Sequence, residues 1–238
     1  MNTTVKNESL RSEFVGREFK ESTAAKQAPN FDHLAKFYRW MELLTFGPLL
    51  SRCRAAFLPE IASARRALVL GDGDGRFIAE LLRVNTEVRI DAVDASPAML
   101  EALLRRAGVN ACRVSTRCAD ARDWQIENAT YDLVATHFFL DCLTTDECRG
   151  LAARLRGAVS PSALWIVSEF AVPEGGYGRL VALPLVWLLY SAFGVLTGLR
   201  IRSLPDHHEA LSEAGFALTR RRTRLGGLLV SEMWCIKT

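Results

Sequence analysis

The sequence predicts an α/β fold with a doubly wound, seven-stranded, mostly parallel sheet. After residue 66, short aliphatic runs alternate with segments of helical periodicity, which is typical of βαβ units. Of the 238 residues, 49% are apolar, so one large core can form. The last two apolar runs are separated by Gly226 and Gly227, which favours an antiparallel hairpin at the end of the chain.

Each strand is predicted from an apolar or β-branched run bounded by turn residues. The predicted strands are residues 67–70, 89–93, 112–117, 131–136, 163–170, 216–223 and 228–236. The helices between them are predicted from apolar positions spaced three and four apart. They cover residues 77–82, 98–104 and 147–159, with start signals at Ser96-Pro97 and at Thr144-Thr145.

Two regions outside the sheet differ from it in composition. Residues 1–30 are polar with scattered apolar positions, which predicts a disordered N-terminal tail. Residues 31–62 have apolar side chains at helical spacing and predict cap helices at the start of a domain that spans residues 31–238. Residues 172–204 include an uncharged run, 180–199, that contains proline and glycine. We interpret this insertion as an apolar helical lid over a substrate cleft, with core packing and interfacial membrane contact as alternatives.

Charge and cysteine content exclude several classes of partner. The net charge of +3 is too small for a strongly basic nucleic-acid binder, and the arginines between 220 and 224 are interpreted as a solvated strand edge. The six cysteines contain no CxxC pair and no signal peptide precedes them, so we expect reduced thiols, no metal site and a cytoplasmic protein. The length of 180–199 permits a membrane span, but a single crossing would separate the last two strands from their sheet.

The main chemical motif is a glycine-rich turn between the first predicted strand and the first predicted helix. It reads Gly-Asp-Gly-Asp-Gly at residues 71–75. Alternating glycines permit a sharp bend and let a ligand touch the main chain. A dinucleotide fingerprint would need Gly or Ala at position 76 or 78, where this chain has Arg76 and Ile78. Asp72 and Asp74 would repel a pyrophosphate and attract a cation, so the turn favours a positively charged ligand.

Asp94 is the second candidate ligand-binding residue. It follows the second predicted strand, 19 residues after Gly75. Two carboxylate oxygens at this place can accept both hydroxyls of a ribose. The alternative is an acid at a helix N-terminus, although Ser96 is the better cap candidate. Met99 is predicted either to face an adenine ring or to fill the core.

These motifs resemble those of class I S-adenosylmethionine-dependent methyltransferases. The resemblance rests on the glycine turn, residues 94–100, Asp120-Ala121 after the third strand and residues 131–134. Residues 38–47 are similar to the helix before the core in the ubiquinone and menaquinone C-methyltransferase group. The resemblance runs from about Tyr38 to the C-terminus. It implies a Rossmann-like sheet with an antiparallel last strand, and S-adenosylmethionine as the cofactor.

The resemblance also assigns roles to residues. It implies that the three glycines line the methionine moiety, that Asp94 holds the ribose, and that Asp120 with Ala121 borders the adenine. The family usually has an acid where this chain has Val69, so Asp72 or Asp74 would contact the methionine amine instead. Taken alone, Asp120 is also explained as a turn-forming aspartate. The predicted cofactor site is Gly71, Asp72, Gly73, Asp74, Gly75, Asp94, Ala95, Met99, Asp120, Ala121 and His137.

Fewer sequence signals mark the residues that would act on the methyl acceptor. His137, just beyond the fourth predicted strand, is the candidate general base for an oxygen or nitrogen acceptor. Asp141 would orient His137 or bind a polar end of the substrate. Packing of His137 and helix capping by Asp141 are the alternatives. The predicted substrate contacts are Tyr38, Trp187, Tyr190 and His207, with His208 as a further candidate; helix-start polarity is the alternative for both histidines.

The sequence thus predicts methyl transfer from S-adenosylmethionine to a small, lipophilic acceptor that is quinone-like, phenolic or a secondary metabolite. Methyl transfer depends on alignment in an apolar, water-poor site more than on catalytic side chains. The alternatives are an aminopropyl transferase of related fold and a non-catalytic S-adenosylmethionine-binding or membrane-surface protein. Peripheral membrane contact through 180–199 stays open, and no sequence feature indicates the oligomeric state.

Overall fold

The computed structural model of the chain describes residues 47–126, 130–173 and 205–237. Strands and helices alternate in these ranges as predicted. The strands are β1 (Arg66–Leu70), β2 (Arg89–Asp94), β3 (Val114–Cys118), β4 (Tyr131–His137), β5 (Val159–Phe170), β6 (Phe216–Arg224) and β7 (Leu229–Ile236). The α-helices are α1 (Gly47–Arg54), α2 (Arg76–Val84), α3 (Pro97–Ala107), α4 (Thr145–Ala158) and α5 (His207–Glu213).

The strands form one sheet in the order β3-β2-β1-β4-β5-β7-β6. Strands β1 to β5 pair in parallel, whereas β7 is antiparallel to both of its neighbours, β5 and β6. The predicted Rossmann-like sheet with an antiparallel last strand is confirmed. The strand order reverses between β1 and β4, and ligands of such sheets bind outside the carboxyl ends of the strands at this switch point.

Both faces of the sheet are covered, which explains the unbroken apolar run of its central strand. In β1, Leu68 and Leu70 belong to the core cluster that includes residues of α4 and α5. Ala67 and Val69 belong to the opposite cluster, which includes Phe77 and other residues of α2. Full burial of a leucine of this kind contributes about 2 kcal/mol, so the two clusters hold the sheet between its helices.

The helix start signals in the sequence form caps in the structure. The Ser96 hydroxyl accepts the Met99 N–H at 3.3 Å, and Pro97 is the first residue of α3. Thr144 and Glu147 form a reciprocal capping box at the start of α4. Such contacts satisfy backbone N–H groups that have no partner in the first helical turn. Local sequence therefore determines where these helices begin at the carboxyl edge of the sheet.

Strand β3 begins later than predicted. Residues 112 and 113 belong to a 3-10 helix, Gly108–Arg113, that follows α3 directly. The Arg113 guanidinium donates hydrogen bonds to the carbonyl oxygens of Asn85 at 2.7 Å and Leu82 at 3.0 Å. These bonds tie the 3-10 helix to the end of α2, a contact between distant segments that strand propensity does not reflect.

Strand β5 begins earlier than predicted, at Val159 rather than at residue 163. Val159 pairs with Tyr131, and the register between β4 and β5 then shifts before Leu164 pairs with Leu133. Pro161 lies in this irregular stretch and lacks the N–H that a regular ladder needs. The irregularity explains why the sequence pattern alone placed the strand start after the proline.

Several predicted regions lie outside the described residues. These are the tail 1–30, residues 31–46 of the cap region and residues 174–204 of the apolar insertion. The predicted substrate residues Tyr38, Trp187 and Tyr190 fall in these segments. The described part of the cap region contains α1. Among the helices that the structure describes, none has the length and apolarity needed to cross a membrane.

Candidate cofactor and acceptor site

The glycine turn lies at the carboxyl end of β1 and leads into α2. All three of its glycines have positive φ, which L side chains rarely adopt. At Gly75 an added Cβ would lie 2.9 Å from the Leu103 Cα, so α3 packs directly against the turn. At Gly73, among the residues that the structure describes, an added Cβ would contact only the Met99 sulfur, at 3.9 Å. The turn is therefore closed by α3 at Gly75 and borders space next to Met99 at Gly73.

Asp72 is buried beneath the turn. Its two carboxylate oxygens accept the N–H groups of Phe77 at 3.2 Å and Ile78 at 2.9 Å, so it caps α2. Burial raises its pKa from 3.8 to about 6, against the lowering effect of these hydrogen bonds. The prediction that Asp72 contacts a ligand stays a prediction, since both of its oxygens serve the helix.

Asp74 is paired with two arginines. Its carboxylate lies 3.1 Å from the Arg76 Nε and 2.5 Å from a terminal nitrogen of Arg106. The Arg106 Nε also donates to the Asp74 carbonyl oxygen at 2.8 Å. The turn is therefore less acidic than its sequence suggests, because arginines from α2 and α3 neutralise this carboxylate.

Asp94 ends β2 beside the glycine turn and is half-buried. One of its oxygens accepts the Ser96 N–H at 2.9 Å, and the N–H groups of Gly73 and Ala95 also donate to the carboxylate. Burial raises the pKa of Asp94, and the three backbone donors oppose this effect. The structure thus brings Asp94, Ala95, Gly73 and Met99 to one place, as the sequence predicted for a nucleoside site.

The loop after β3 brings the predicted adenine-side residues to the same edge. The Ala119 N–H donates to the Asp94 carbonyl oxygen at 3.1 Å, so the loop follows the end of β2. The carboxylate of Asp120 is held by the Arg122 Nε at 2.9 Å, and this hydrogen bond lowers its pKa. Ala121 is buried, and its carbonyl accepts a bond from Arg154 at 2.8 Å. A direct ligand contact by Asp120 stays a prediction.

His137 is the last residue of β4, and its side chain points into the α2 side of the sheet. Its ring lies 4.4 Å from the Phe77 ring, centroid to centroid. Neither ring nitrogen has a hydrogen-bond partner among the described residues. Burial, together with the charge of Arg54, lowers its pKa to about 3, so the imidazole is neutral at pH 7. The prediction of His137 as general base stays open, and its low pKa weakens it.

The turn after β4 connects the glycine turn to a second group of residues. The Phe139 ring occupies the position that a Cβ on Gly71 would need. One oxygen of Glu169 accepts the N–H groups of Phe139 at 3.2 Å and Leu140 at 2.9 Å. Glu169 is the last residue but one of β5 and is only 1% exposed. Its other oxygen has no hydrogen-bond partner in the described part of the chain.

Asp141, also buried, lies close to Glu169. Burial and the charge of Asp141 raise the pKa of Glu169 well above its ordinary value. The Cys142 thiol donates to an Asp141 oxygen at 3.4 Å, and burial followed by the charge of Asp141 raises the pKa of Cys142 as well. Two carboxyl groups in one buried place cannot both be ionised without large cost, so the pair holds a proton on Glu169.

A cavity of about 290 Å³ adjoins the carboxyl pair. One part of its wall is apolar and comprises Phe170, Ala171, Val172, Pro205 and Val230. The other part is polar and comprises Asp141, Glu169, Asp206, His207, His208 and Arg221. The sequence predicted Asp141 and His207 at the acceptor site, and the cavity brings them together. Glu169 and Arg221 were missed, although a single acid in the apolar end of a strand is a signal that could have indicated Glu169.

A group of possible metal ligands lies at the edge of this cavity. The Nε2 atoms of His207 and His208 lie 3.2 and 2.8 Å from the two carboxylate oxygens of Glu232, a residue of β7. The ligand atoms of the three residues lie within 4.8 Å of one another. The sequence predicted no metal site, because these ligands come from α5 and from a strand more than twenty residues further along the chain.

Comparison with known proteins identifies the domain. Residues 67–162, from β1 into β5, match the family model described as "Methyltransferase domain". Within these residues the chain matches a methyltransferase domain. The sequence resemblance to class I S-adenosylmethionine-dependent methyltransferases is confirmed, while the nearest group within them is not established. No curated protein sequence matches the chain.

Solved structures share the fold of this methyltransferase domain. An O-methyltransferase family protein from Burkholderia thailandensis superposes with a TM-score of 0.65 at 17% identity, covering 86% of this chain and 60% of that one. Human N-acetylserotonin methyltransferase in complex with SAM gives 0.62 at 17% identity, covering 86% and 56%. The CcbJ methyltransferase from Streptomyces caelestis gives 0.58 at 20% identity, covering 78% and 94%. The chain thus spans about 60% of the length of the first of these proteins.

Methyltransferases of this class use S-adenosylmethionine, and the residues at the glycine turn fit this cofactor. The space beside Gly73 is bounded by Met99 and by the carboxylate of Asp94, which can accept ribose hydroxyls. His137 is neutral at pH 7, so it adds no positive charge against the sulfonium of the cofactor.

Proposed function

We propose that this methyltransferase methylates a hydroxyl oxygen of a small acceptor that occupies the cavity beside Asp141 and Glu169. The observation that carries the proposal is the buried carboxyl pair at the end of β4 and β5. Glu169 accepts a hydrogen bond from the turn after β4, and the Phe139 ring of that turn contacts Gly71. One turn therefore connects the carboxyl pair to the glycine turn. An acceptor in the cavity would therefore lie next to the cofactor crevice.

The cavity walls suit an acceptor with an apolar body and a polar end. Phe170, Val172 and Val230 offer an apolar surface, while Asp141 and Glu169 offer buried oxygens. The volume of about 290 Å³ corresponds to a small molecule at the lower end of ligand sites. This supports a phenol-like or hydroxylated acceptor and agrees with the lipophilic acceptor predicted from sequence.

The carboxyl pair supplies a base for a hydroxyl acceptor. Because Glu169 holds the proton of the pair, Asp141 is the ionised member and accepts the hydroxyl proton as the oxygen forms its bond to the methyl carbon. Glu169 stays neutral, and its oxygen that has no partner among the described residues donates a hydrogen bond to the polar end of the acceptor. S-adenosylmethionine supplies a methyl group on a sulfonium whose charge is lost on transfer, so the apolar wall also favours the reaction.

His137 has a different role in this proposal. Its ring is packed against Phe77 on the face of the sheet opposite to the core cluster that contains α4 and α5. His137 is not among the described residues that line the cavity, so it does not reach an acceptor bound there. We infer that neutral His137 borders the cofactor and that Asp141 acts as the base.

The names of two proteins with similar folds support an oxygen acceptor. They include an O-methyltransferase family protein and the mitomycin 7-O-methyltransferase MmcR. Their identity to this chain is 17% and 16%, so these names support the reaction type and leave the acceptor of this chain to experiment.

A second candidate function is methylation of an amine nitrogen. The observation that favours it is that the acids Asp141 and Asp206, besides the neutral Glu169, face only one arginine, Arg221, among the lining residues that the structure describes. A protonated amine would be attracted by these carboxylates. Asp141 would then remove the amine proton before transfer.

The acceptor class is tested with methyl-labelled S-adenosylmethionine and the full chain. Matched acceptors share one aromatic body and differ only in a hydroxyl, an amine or a methyl ether. We expect label on the hydroxyl compound and none on the ether. Label on the amine alone would replace the proposal by the second candidate. If calorimetry detects binding of neither S-adenosylmethionine nor its demethylated product, both candidates fail.

A further inference from the structure

Glu232 is a fully buried carboxylate surrounded by donors. Its exposed fraction is 0%, and it lies on β7 facing α5. Besides the two histidines, the Arg221 Nε lies 3.2 Å from one oxygen and the Trp234 Nε1 donates to the other at 3.2 Å. A buried carboxylate is costly unless it is paired, so Glu232 needs cationic or donor partners.

The two histidines approach this carboxylate in an unusual way. They are consecutive residues at the start of α5, yet both direct Nε2 to the same side chain, one to each oxygen. Their rings pack edge to face with centroids 4.7 Å apart. One histidine would be enough to hydrogen-bond one carboxylate oxygen of Glu232. The second histidine brings another imidazole nitrogen to the same carboxylate.

The surroundings favour a cation at this point. The acids Asp206 and Asp141 line the same cavity as the two histidines. Arg149, a cation on the neighbouring α4, is already paired with Glu209 and Glu213. Glu232 is charged and completely buried, so its attraction for a cation is screened little by solvent.

We propose that His207, His208 and Glu232 bind one divalent transition-metal ion of the zinc class. Two imidazole nitrogens and a carboxylate oxygen are ligands that Zn²⁺ accepts, at about 2.0–2.2 Å. Tetrahedral binding would bring the ligand atoms to roughly 3.3 Å from each other, which requires a modest contraction of the present arrangement. Three protein ligands leave a fourth position for water or for a ligand in the cavity.

Arg221 competes with the ion for Glu232. Its guanidinium lies against the oxygen that His208 also contacts, and its side chain is 45% exposed. Half-exposed arginine can turn to solvent, so the ion displaces it without unfolding β6. Because Arg221 competes with the ion, removal of its side chain should strengthen ion binding. In a purely structural ion-pair cluster, the same change would only deprive Glu232 of one partner.

The ion would join α5 to β7 at the edge of the acceptor cavity. This role does not depend on methyl transfer, because the ligands lie on α5 and β7, whereas the glycine turn follows β1. Metal binding and methyl transfer can therefore fail separately.

The test is a titration of the full chain with Zn²⁺ after treatment with a chelator. It uses a Cys112→Ser/Cys118→Ser background, since these two exposed thiols could bind zinc on their own. We expect one Zn²⁺ per chain by calorimetry, a rise in Tm with zinc, and a Co²⁺ absorption spectrum of low coordination number. Mg²⁺ should produce none of these effects, because it prefers oxygen ligands.

Variants decide whether these residues hold the ion. His208→Gln, at a 39% exposed side chain, should weaken Zn²⁺ binding on the order of 100-fold or more. Arg221→Gln should strengthen it, and the matched control Glu209→Gln, an acid of α5 that pairs with Arg149, should leave it unchanged. Glu232→Gln should also abolish Zn²⁺ binding. If Glu232→Gln does not fold, His208→Gln decides the test. Absence of zinc binding, or unchanged binding in His208→Gln, would overturn the proposal.

Discussion

Phe139 packs its ring against the backbone of Gly71, where an added Cβ would overlap the ring. This contact connects the turn after β1 to the turn after β4. It explains why the first residue of the glycine turn lacks a side chain, and it places the acceptor-side turn directly against the cofactor crevice.

Gly71→Ala tests this relationship. The substitution should cost about 1–2 kcal/mol for its left-handed φ, and more where the Phe139 ring opposes the new methyl group. Phe139→Ala in the same chain should restore part of the loss. Urea denaturation of the two single variants and the double variant checks this as a cycle. Additive losses would mean that the ring does not oppose the methyl group.

Asp94→Asn tests the ribose contact. Removing the charge should weaken S-adenosylmethionine binding about 10- to 100-fold, because hydrogen bonds to a charged acceptor exceed neutral ones. Calorimetry measures the affinity. The matched control is Asp91→Asn on the same strand, whose carboxylate contacts Arg66 and Tyr131 instead. Equal losses in both variants would assign the effect to the strand rather than to the site.

Asp72 should make stability depend on pH. Its folded pKa of about 6 lies above the ordinary value of 3.8, so the folded state binds more protons between these values. The contribution of Asp72 is therefore complete below pH 4 and is lost as pH rises through 6. The loss should approach about 3 kcal/mol relative to Asp72→Asn. Chemical denaturation of both proteins from pH 4 to 7 checks it; parallel curves would contradict the raised pKa.

Asp141→Asn and Glu169→Gln should differ in their effect on methyl transfer. Asn at 141 removes the base and should lower kcat by about 10²- to 10⁴-fold. Gln at 169 retains a neutral donor and an acceptor for the Phe139 and Leu140 N–H groups, so it should lower kcat far less. Initial rates with a hydroxyl acceptor measure both, and calorimetry confirms that S-adenosylmethionine still binds. A larger loss in Glu169→Gln would exchange the two roles.

Local sequence patterns predicted most of the fold. The apolar run of β1, the Ser96-Pro97 cap and the Thr144 capping box depend on neighbouring residues, and each occurs where predicted. The start of β3 and the start of β5 were wrong because one depends on Arg113 reaching α2 and the other on the register beside Pro161. Strand boundaries that depend on distant partners cannot be read from the hydrophobic pattern of a short sequence window.

The sequence by itself determined the order of strands and helices along the chain, the glycine turn after β1 and the place of Asp94 at the end of β2. It did so because hydrophobic period, caps and turn residues act over a few positions. The tertiary structure alone decided that Asp74 pairs with Arg106, that Glu169 joins Asp141 and that two histidines converge on Glu232. Those partners are distant in the chain, and only the order and register of the strands within the sheet bring their side chains together.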